Sequence, residues 1–221
     1  MNRLFHLPLS PFCRKIRLVM AEKRQEVDLV EEPVWKKRLE FLKLNAAGKV
    51  PVLIINGKVL CESTSIFEYL EEIYPSPALL PSEISKKAEA RRLSSWFDDK
   101  FHSEVTSNLL YERVYKKISK TGHPDSDLIK EGAKKIKFHL DYMNWLLEKR
   151  RWLACDYMTI ADFSAAAHLS CLDYINDVDW ERSNLVKEWY AKIKSRPSFR
   201  SLLADVIPGF IPSTQYAELD F

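Results

Sequence analysis

Ser10 stands just before the first helix that the sequence predicts, where a hydroxyl can either cap the helix or meet a ligand. A short apolar strand at 3–7 runs into Ser10-Pro11, and apolar residues then recur at helical spacing from Pro11 to about Lys23. Serine before a first-turn proline is a common capping arrangement. The same serine could instead face a ligand at the start of the helix. Both roles stay open on the sequence.

Cys13 lies one helical turn after Ser10, at the spacing of a CxxC redox motif whose first cysteine is replaced. A dithiol mechanism needs two sulfurs, so we expect Cys13 to be a buried and unreactive thiol. The other cysteines, Cys61, Cys155 and Cys171, form no CxxC pair, and no cysteine–histidine group has zinc-ligand spacing. We therefore predict reduced cysteines and no metal.

The length and the net charge of the chain limit the classes of function that remain possible. The 221 residues are enough for one large domain or two modest ones. The net charge of +3 is too small to indicate nucleic acid or an acidic membrane surface as a partner. No apolar run is long enough to span a bilayer, and the N-terminus lacks the pattern of a secretion signal. We expect a cytoplasmic protein with no nucleic-acid or membrane partner.

The first eighty or so residues alternate strand and helix patterns in the order β-α-β-α-β-β-α. Asn56-Gly57 supplies the positive φ angles of a tight hairpin turn, and Ser63 or Thr64 can cap the third helix. The first two strands are joined by a helix and should be parallel, so the hairpin makes the small sheet mixed. The predicted strands lie at 3–7, 26–30, 51–55 and 58–61, and the predicted helices at 11–23, 37–45 and 63–74.

A proline-rich stretch at 74–83 ends this pattern, because its prolines forbid a continuous helix. From 84 to 203 the apolar spacing is helical and predicts an all-α domain. The capping pattern at 159–162 is assigned to folding rather than to chemistry. We therefore expect an α/β domain at 1–76, a linker at 77–84, an all-α domain at 85–205 and a tail at 206–221.

This layout resembles that of the cytosolic glutathione transferases, and the resemblance covers nearly the whole chain. It implies a thioredoxin-like N-terminal domain that binds glutathione, followed by an all-α C-terminal domain. The chain departs from the family pattern at Ala46, where proline is usual, and at Cys155, where glycine is usual. Four signatures match in order: SPF at 10–12, LNAAGKVPVL at 44–53, ESTSIFEYLEE at 62–72 and WLACDYMTIADF at 152–163.

The resemblance implies roles for residues in the first three signatures. Ser10 would be the catalytic residue, because it would donate a hydrogen bond to the glutathione sulfur and favour the thiolate without a base or a metal. Val50, before a cis Pro51, would pair its main chain with the cysteinyl backbone, and Ser63 would hold the γ-glutamyl carboxylate at a helix start. The residues expected to bind glutathione are Phe12, Lys49, Val50, Pro51, Glu62 and Ser63.

Two contacts of this expected site stay open on the sequence. Any of Lys36, Lys37 and Arg38 could reach the glycyl carboxylate of glutathione. A small electrophile would lie between the two domains. The side chains that could face it are Trp96, Asn108, Tyr111 and Tyr115.

The first function that the resemblance implies is an enzyme. It would be a glutathione transferase that uses glutathione as co-substrate against a small electrophile. Family precedent and the frequency of two-fold symmetry favour a homodimer, formed mainly by the helices around 64–74 and 86–110.

The second function is a non-catalytic adaptor. The blocks at 107–127, 150–180 and 194–221 resemble those of glutathione-transferase-like cell-division proteins, which implies FtsZ filaments as a partner. An acidic, aromatic end at 216–221 suits docking to another protein surface. It suits packing across its own domain equally well. The sequence leaves both functions, and both roles of the tail, open.

Overall fold

The computed structural model describes residues 2–219 and shows a small four-stranded sheet in the N-terminal part. Its strands are β1 (Arg3–His6), β2 (Asp28–Glu31), β3 (Val52–Ile55) and β4 (Lys58–Cys61). The order is β2-β1-β3-β4, with β1 parallel to β2 and antiparallel to β3. The hairpin joining β3 to β4 turns at Asn56-Gly57, where φ is 51° and 73°. The predicted mixed sheet is confirmed.

Three α-helices accompany the sheet: α1 (Pro11–Glu22), α2 (Leu39–Leu44) and α3 (Ser63–Ile73). The start of α3 differs from the sequence expectation. Its N-cap is Glu62, at a φ of 66°, and no side chain caps the helix, so the cap expected at Ser63 or Thr64 is wrong. Ser63 is the first helical residue, and its hydroxyl is therefore not used for capping.

Residues 84–203 form helices and turns without a β-strand, as the sequence predicts. The first helix of this part, α4 (Ile84–Ser95), continues through a π-type segment, Trp96–Tyr115, into α5 (Lys116–Ser119). Within residues 2–219, no helix combines the length and the apolar character needed to cross a membrane. The remaining helices are α6 (Ser126–Leu147), α7 (Ile160–Tyr174), α8 (Asn184–Lys194), α9 (Arg200–Leu203) and α10 (Thr214–Ala217).

The π-type segment Trp96–Tyr115 is called the wide segment below. Its number of residues per turn determines which of its side chains lie on the same face. At its end the N–H of Lys116 donates to the Tyr111 carbonyl, five residues back. Each turn therefore takes more residues than the roughly 3.6 of an α-helix. Buried apolar side chains accordingly recur every four or five positions: Phe97, Phe101, Val105, Leu109 and Val114.

Helix α7 is buried along its whole length. Thr159 and Asp162 form a capping box at its start, so the predicted cap is confirmed. Asp162 Oδ1 also accepts hydrogen bonds from the Leu153 N–H at 3.0 Å and from Trp189 Nε1 at 2.9 Å. One carboxylate thus ties the start of α7 to the loop before it and to α8.

The connection at 74–83 is fixed by hydrogen bonds to both parts of the chain. Glu71 Oε1, on α3, accepts from the N–H groups of Leu79 at 2.7 Å and Leu80 at 2.9 Å. The Leu79 carbonyl accepts from the N–H of Ile160, the first residue of α7, at 3.0 Å. The proline-rich stretch is therefore an anchored connection between α3 and the helical part.

Two arginines of α1 are buried against the end of the helical part. Asp205 Oδ2 lies 3.2 Å from Arg14 Nη2 and 2.8 Å from Arg17 Nη1. Arg14 Nη1 also donates to Ser170 Oγ on α7 at 2.9 Å. Side-chain exposure is 0% for Arg14, 3% for Arg17 and 10% for Asp205, so two desolvated cations share one carboxylate.

The C-terminal tail packs on its own chain, which is one of the two roles left open by the sequence. Tyr216 is fully buried, and its hydroxyl donates to the Leu202 carbonyl at 2.8 Å. Lys194 Nζ donates to the Gln215 carbonyl at 2.6 Å, and the Arg14 guanidinium lies 5.7 Å from the Tyr216 ring centre. The last two residues of the predicted docking segment, 220–221, lie outside the described residues.

Replacing Asp205 should destabilise the fold strongly. In Asp205→Asn the two buried guanidinium groups lose their carboxylate, and we expect a loss of about 3–5 kcal/mol in the free energy of unfolding. Asp141→Asn is the matched control, because Asp141 forms an exposed pair with Arg182 and should cost under about 1 kcal/mol. Denaturant titration of both variants measures the difference. Equal, small losses in the two variants would contradict the assignment.

Candidate functional site

Two adjoining cavities lie where the α/β part meets the wide segment. The first, called the groove, has a volume of about 490 Å³ and lies between Val50, the start of α3 and Asp98 of the wide segment. The second, called the cleft, has a volume of about 350 Å³ and lies between the start of α1, Trp35 and Tyr111 of the wide segment.

All six residues predicted to bind glutathione line the groove. The predicted catalytic residue, Ser10, lines the cleft instead. The structure therefore brings the predicted peptide-binding residues together and places the predicted thiol-stabilising hydroxyl in the neighbouring cavity. The six groove residues are Phe12, Lys49, Val50, Pro51, Glu62 and Ser63.

The main chain of Val50 is free to pair with a ligand. The Val50-Pro51 peptide bond is cis, as the resemblance implies. Val50 precedes β3, and its N–H and carbonyl make no hydrogen bond to any other residue of 2–219. A free N–H and carbonyl side by side on an open groove can receive an extended peptide as an added strand.

The start of α3 offers a site for an anion at the other side of the groove. Its first turn presents backbone N–H groups and the positive end of the helix dipole. Ser63 is 6% exposed and lines the groove next to Glu62, whose positive φ marks the turn into the helix. This geometry suits a ligand carboxylate held by the Ser63 hydroxyl and an amide N–H.

Ser10 takes the first of the two roles that the sequence left open, and its position is compatible with the second. Its Oγ accepts a hydrogen bond from the Cys13 N–H at 3.3 Å, which caps α1. A hydroxyl that accepts through a lone pair still carries its own hydrogen. Because Ser10 lines the cleft, that hydrogen remains available to a ligand at the positive end of α1.

None of the three basic residues near the start of α2 lines either cavity. Arg38 Nε donates to Glu32 Oε1 at 3.1 Å, and the guanidinium pairs with this fully buried carboxylate. Lys36 and Lys37 are exposed and stand apart from both linings. Lys49 is the lysine on the described lining of the groove, so it is the basic side chain placed to meet a second ligand carboxylate.

Buried ionic and polar side chains of α1, the wide segment and α7 form a network beside the groove. Lys15 of α1 pairs with Asp98, whose other oxygen lies 3.7 Å from His168 Nε2, and His168 Nδ1 is hydrogen-bonded to Thr106 Oγ1 at 2.8 Å. Burial opposes ionisation of Asp98, yet Lys15 and His168 hold its pKa below the ordinary value. Burial lowers the pKa of His168, against the opposing effect of Asp98. Asp98 is therefore held in its charged form within the groove lining, which also includes the carboxyl groups of Glu62 and Asp99.

His102 is one of several lining residues that the sequence did not indicate, as are Asp98 and Trp35. It lies four residues after Asp98 and four before Thr106, and all three line a cavity. Residues four apart lie on one face of a helix, so this side of the wide segment reaches both cavities. Within residues 2–219, no group of three or more acidic, histidine or cysteine side chains is arranged to hold a metal ion.

The cleft is apolar and carries no charged side chain among its described lining residues. Trp35, in the short 3-10 turn at Val34–Lys36, forms one wall, and its ring lies 6.5 Å from that of Tyr115. Tyr111 is 44% exposed and lies on the opposite side. Such a lining favours an uncharged, apolar ligand.

Of the four side chains that the sequence left open as possible contacts of an electrophile, two do not line the cleft. Trp96 Nε1 donates to His139 Nδ1 of α6 at 3.1 Å, and Asn108 packs against Gly132 of the same helix. The wide segment turns these two residues away from the cleft, which removes them from the four alternatives. Tyr111 and Tyr115 do line it.

The burial expected for Cys13 is confirmed. Cys13 is fully buried, and burial raises the pKa of its thiol to about 12. Cys171 is also fully buried, and burial raises its pKa to about 11. Neither thiol forms an appreciable fraction of thiolate at neutral pH.

The comparisons with known proteins agree with this architecture. The family model of the glutathione S-transferase N-terminal domain matches residues 4–78, and that of the C-terminal domain matches residues 110–205. The chain belongs to the glutathione S-transferase family. The expected glutathione-transferase fold, with an α/β N-terminal part and a helical C-terminal part, is thereby confirmed.

Individual relatives match over the full length. FtsZ-localized protein A of Caulobacter vibrioides is 43% identical over 222 residues, covering 99% of this chain and 97% of the relative. A solved glutathione S-transferase from Rhodospirillum rubrum is 47% identical, with a TM-score of 0.96 and full coverage of both chains. The solved structure of FzlA from C. crescentus is 42% identical, with a TM-score of 0.96, and covers 100% of this chain and 99% of that one.

Thiol labelling should separate the cysteines by exposure. With iodoacetamide at neutral pH, we expect the native protein to be alkylated first at Cys61, the partly exposed cysteine beside the groove. Cys13 and Cys171 should react only after denaturation, because they are buried and protonated. Peptide mass spectrometry locates the label. Alkylation of Cys13 in the folded protein would contradict the structure.

Proposed function

We propose that this chain is an FtsZ-associated protein of bacterial cell division, built on the glutathione S-transferase fold. The observation that carries the proposal is its 43% identity to FtsZ-localized protein A over 99% of this chain and 97% of that protein. The aligned length includes the C-terminal segment as well as both family domains. Association with FtsZ would place the protein in the cytoplasm, and the family's usual two-fold dimer would give each assembly two copies of its docking surface.

The C-terminal segment supplies apolar surface for such a partner. Val206 is 79% exposed and Ile211 is 93% exposed. The chain on either side of them is held by Asp205, which pairs with α1, and by the buried Tyr216. Large apolar side chains presented on an anchored backbone are a feature of protein-binding surfaces.

Co-sedimentation with polymerised FtsZ tests this proposal. The wild-type protein should pellet with FtsZ filaments and stay in the supernatant with unpolymerised FtsZ. Ile211→Asp should reduce the pelleted fraction several-fold, by about 1–2 kcal/mol of binding free energy, because it puts a charge on the proposed surface. Ile84→Asp is the matched control, since Ile84 is 84% exposed at the start of α4. A folded wild-type protein that stays in the supernatant would refute the proposal.

A second function, glutathione binding, is favoured by the groove itself. Its lining combines a Val50 main chain without hydrogen-bond partners, an anion site at Ser63 and Lys49, and it adjoins the cleft that holds Ser10. In a transferase reaction the thiol S–H bond breaks and the proton leaves to solvent. The sulfur then bonds to the electrophile, whose leaving group departs with the electron pair. Ser10 would donate its hydrogen to the developing thiolate, and the cleft would receive an uncharged electrophile.

Calorimetric titration with glutathione tests this second function. The wild-type protein should bind, and Ser63→Ala should weaken binding by about tenfold or more, because a hydrogen bond to a charged carboxylate is lost. Ser65→Ala is the control, because Ser65 is exposed on the same helix and does not line the groove. Turnover of an aromatic halide by the wild type and by Ser10→Ala then separates a binding site from a catalytic one. No heat of binding with the folded wild type would refute glutathione binding.

A further inference from the structure

His102 stands at the boundary between the groove and the cleft. Three described residues line both cavities: Phe12, Val34 and His102. His102 is the polar member of the three. A ligand that lies in the groove and extends one group into the cleft must pass its side chain.

The imidazole of His102 is held in place by neighbouring rings. The Phe12 ring centre lies 4.8 Å away at an interplanar angle of 64°, and the His168 ring centre lies 5.8 Å away. Nδ1 of His102 is buried and has no hydrogen-bond partner among residues 2–219. The ring is therefore fixed by packing, and its hydrogen-bonding capacity is not used within the described chain.

His102 is uncharged at neutral pH. Its pKa is lowered to about 4, mainly by burial and in addition by His168 and Lys49, while Asp98 and Asp99 oppose the shift. A neutral imidazole carries one N–H donor and one acceptor nitrogen. It is too weak a base to take the proton of a thiol whose pKa is about 8.5. Its chemistry at this position is that of a hydrogen-bond donor.

Because Nδ1 is shielded from solvent, Nε2 is the nitrogen that a ligand can reach, and we infer that the His102 imidazole donates its Nε2–H to the sulfur of glutathione where the thiol crosses from the groove into the cleft. The inference rests on the glutathione binding proposed above. The proton of the thiol leaves to solvent, and the imidazole keeps its own hydrogen. Ser10 and His102 would then be two neutral donors to one sulfur, in an apolar cleft where each donor stabilises the anion more than it would in water.

Two variants at His102 distinguish the effect of its hydrogen-bond donor from the effect of its aromatic ring. His102→Phe keeps a ring against Phe12 and removes the donor, whereas His102→Gln removes the ring and keeps a donor. The ultraviolet absorbance of the thiolate, followed against pH with glutathione bound, reports the pKa of the bound thiol. We expect His102→Phe to raise that pKa by about one unit, which leaves roughly tenfold less thiolate at neutral pH. His102→Gln should stay within about half a unit of the wild type.

Calorimetric titration of the same variants with glutathione shows whether a negative result concerns glutathione binding or only the role of His102. Wild type and His102→Phe should bind glutathione with similar affinity, because the groove contacts are unchanged. If the wild type binds no glutathione, both the proposed binding and the role of His102 are overturned. If His102→Phe binds but titrates like the wild type, only the role of His102 is overturned. Should His102→Phe fail to fold by circular dichroism, His102→Leu replaces it with the same expected shift and the same overturning result.

Discussion

The burial of three basic side chains of α1 is the constraint on which the rest of the structure depends. Arg14 and Arg17 share the Asp205 carboxylate, and Lys15 pairs with Asp98. Each partner belongs to the helical part, so desolvated cations of the first helix are neutralised only when the two parts of the chain are docked. The start of α1, which carries Ser10 and one wall of the cleft, is thereby held against the wide segment. The relative position of the two parts is fixed by charge as well as by apolar packing.

The same docking creates the two cavities. The α/β part contributes Val50 and the start of α3, and the wide segment contributes Asp98, His102 and Tyr111. Because the π-type backbone repeats every four to five residues, one stripe of the wide segment reaches both cavities while the next stripe fills the core. A ligand of the groove therefore touches both parts, and the protein surface proposed for FtsZ is anchored to the same α1 contacts through Asp205. The proposed glutathione groove and the proposed FtsZ surface therefore depend on the same contacts.

Features set by local chemistry could be predicted from the sequence, and those set by long-range packing could not. The hairpin at Asn56-Gly57 and the cap at Thr159 depend on the preferences of a few neighbouring residues, and both are confirmed. The sequence could not choose among Trp96, Asn108, Tyr111 and Tyr115, because a π-type backbone changes which residues face the cleft. The burial of the basic side chains of α1 could not be predicted from the sequence either. A basic helical face is ordinarily exposed to solvent, and the carboxylates that pair with these side chains lie far along the chain. Family resemblance located the groove residues, yet it did not point to His102.

The most direct test of this account is a crystal structure of the full chain with glutathione. The account predicts that the cysteinyl backbone pairs with the Val50 main chain and that the γ-glutamyl carboxylate meets Ser63. It also predicts that the sulfur lies within hydrogen-bond distance of both Ser10 Oγ and the His102 ring. Glutathione seated elsewhere, or seated in the groove with its sulfur directed away from the boundary with the cleft, would contradict it.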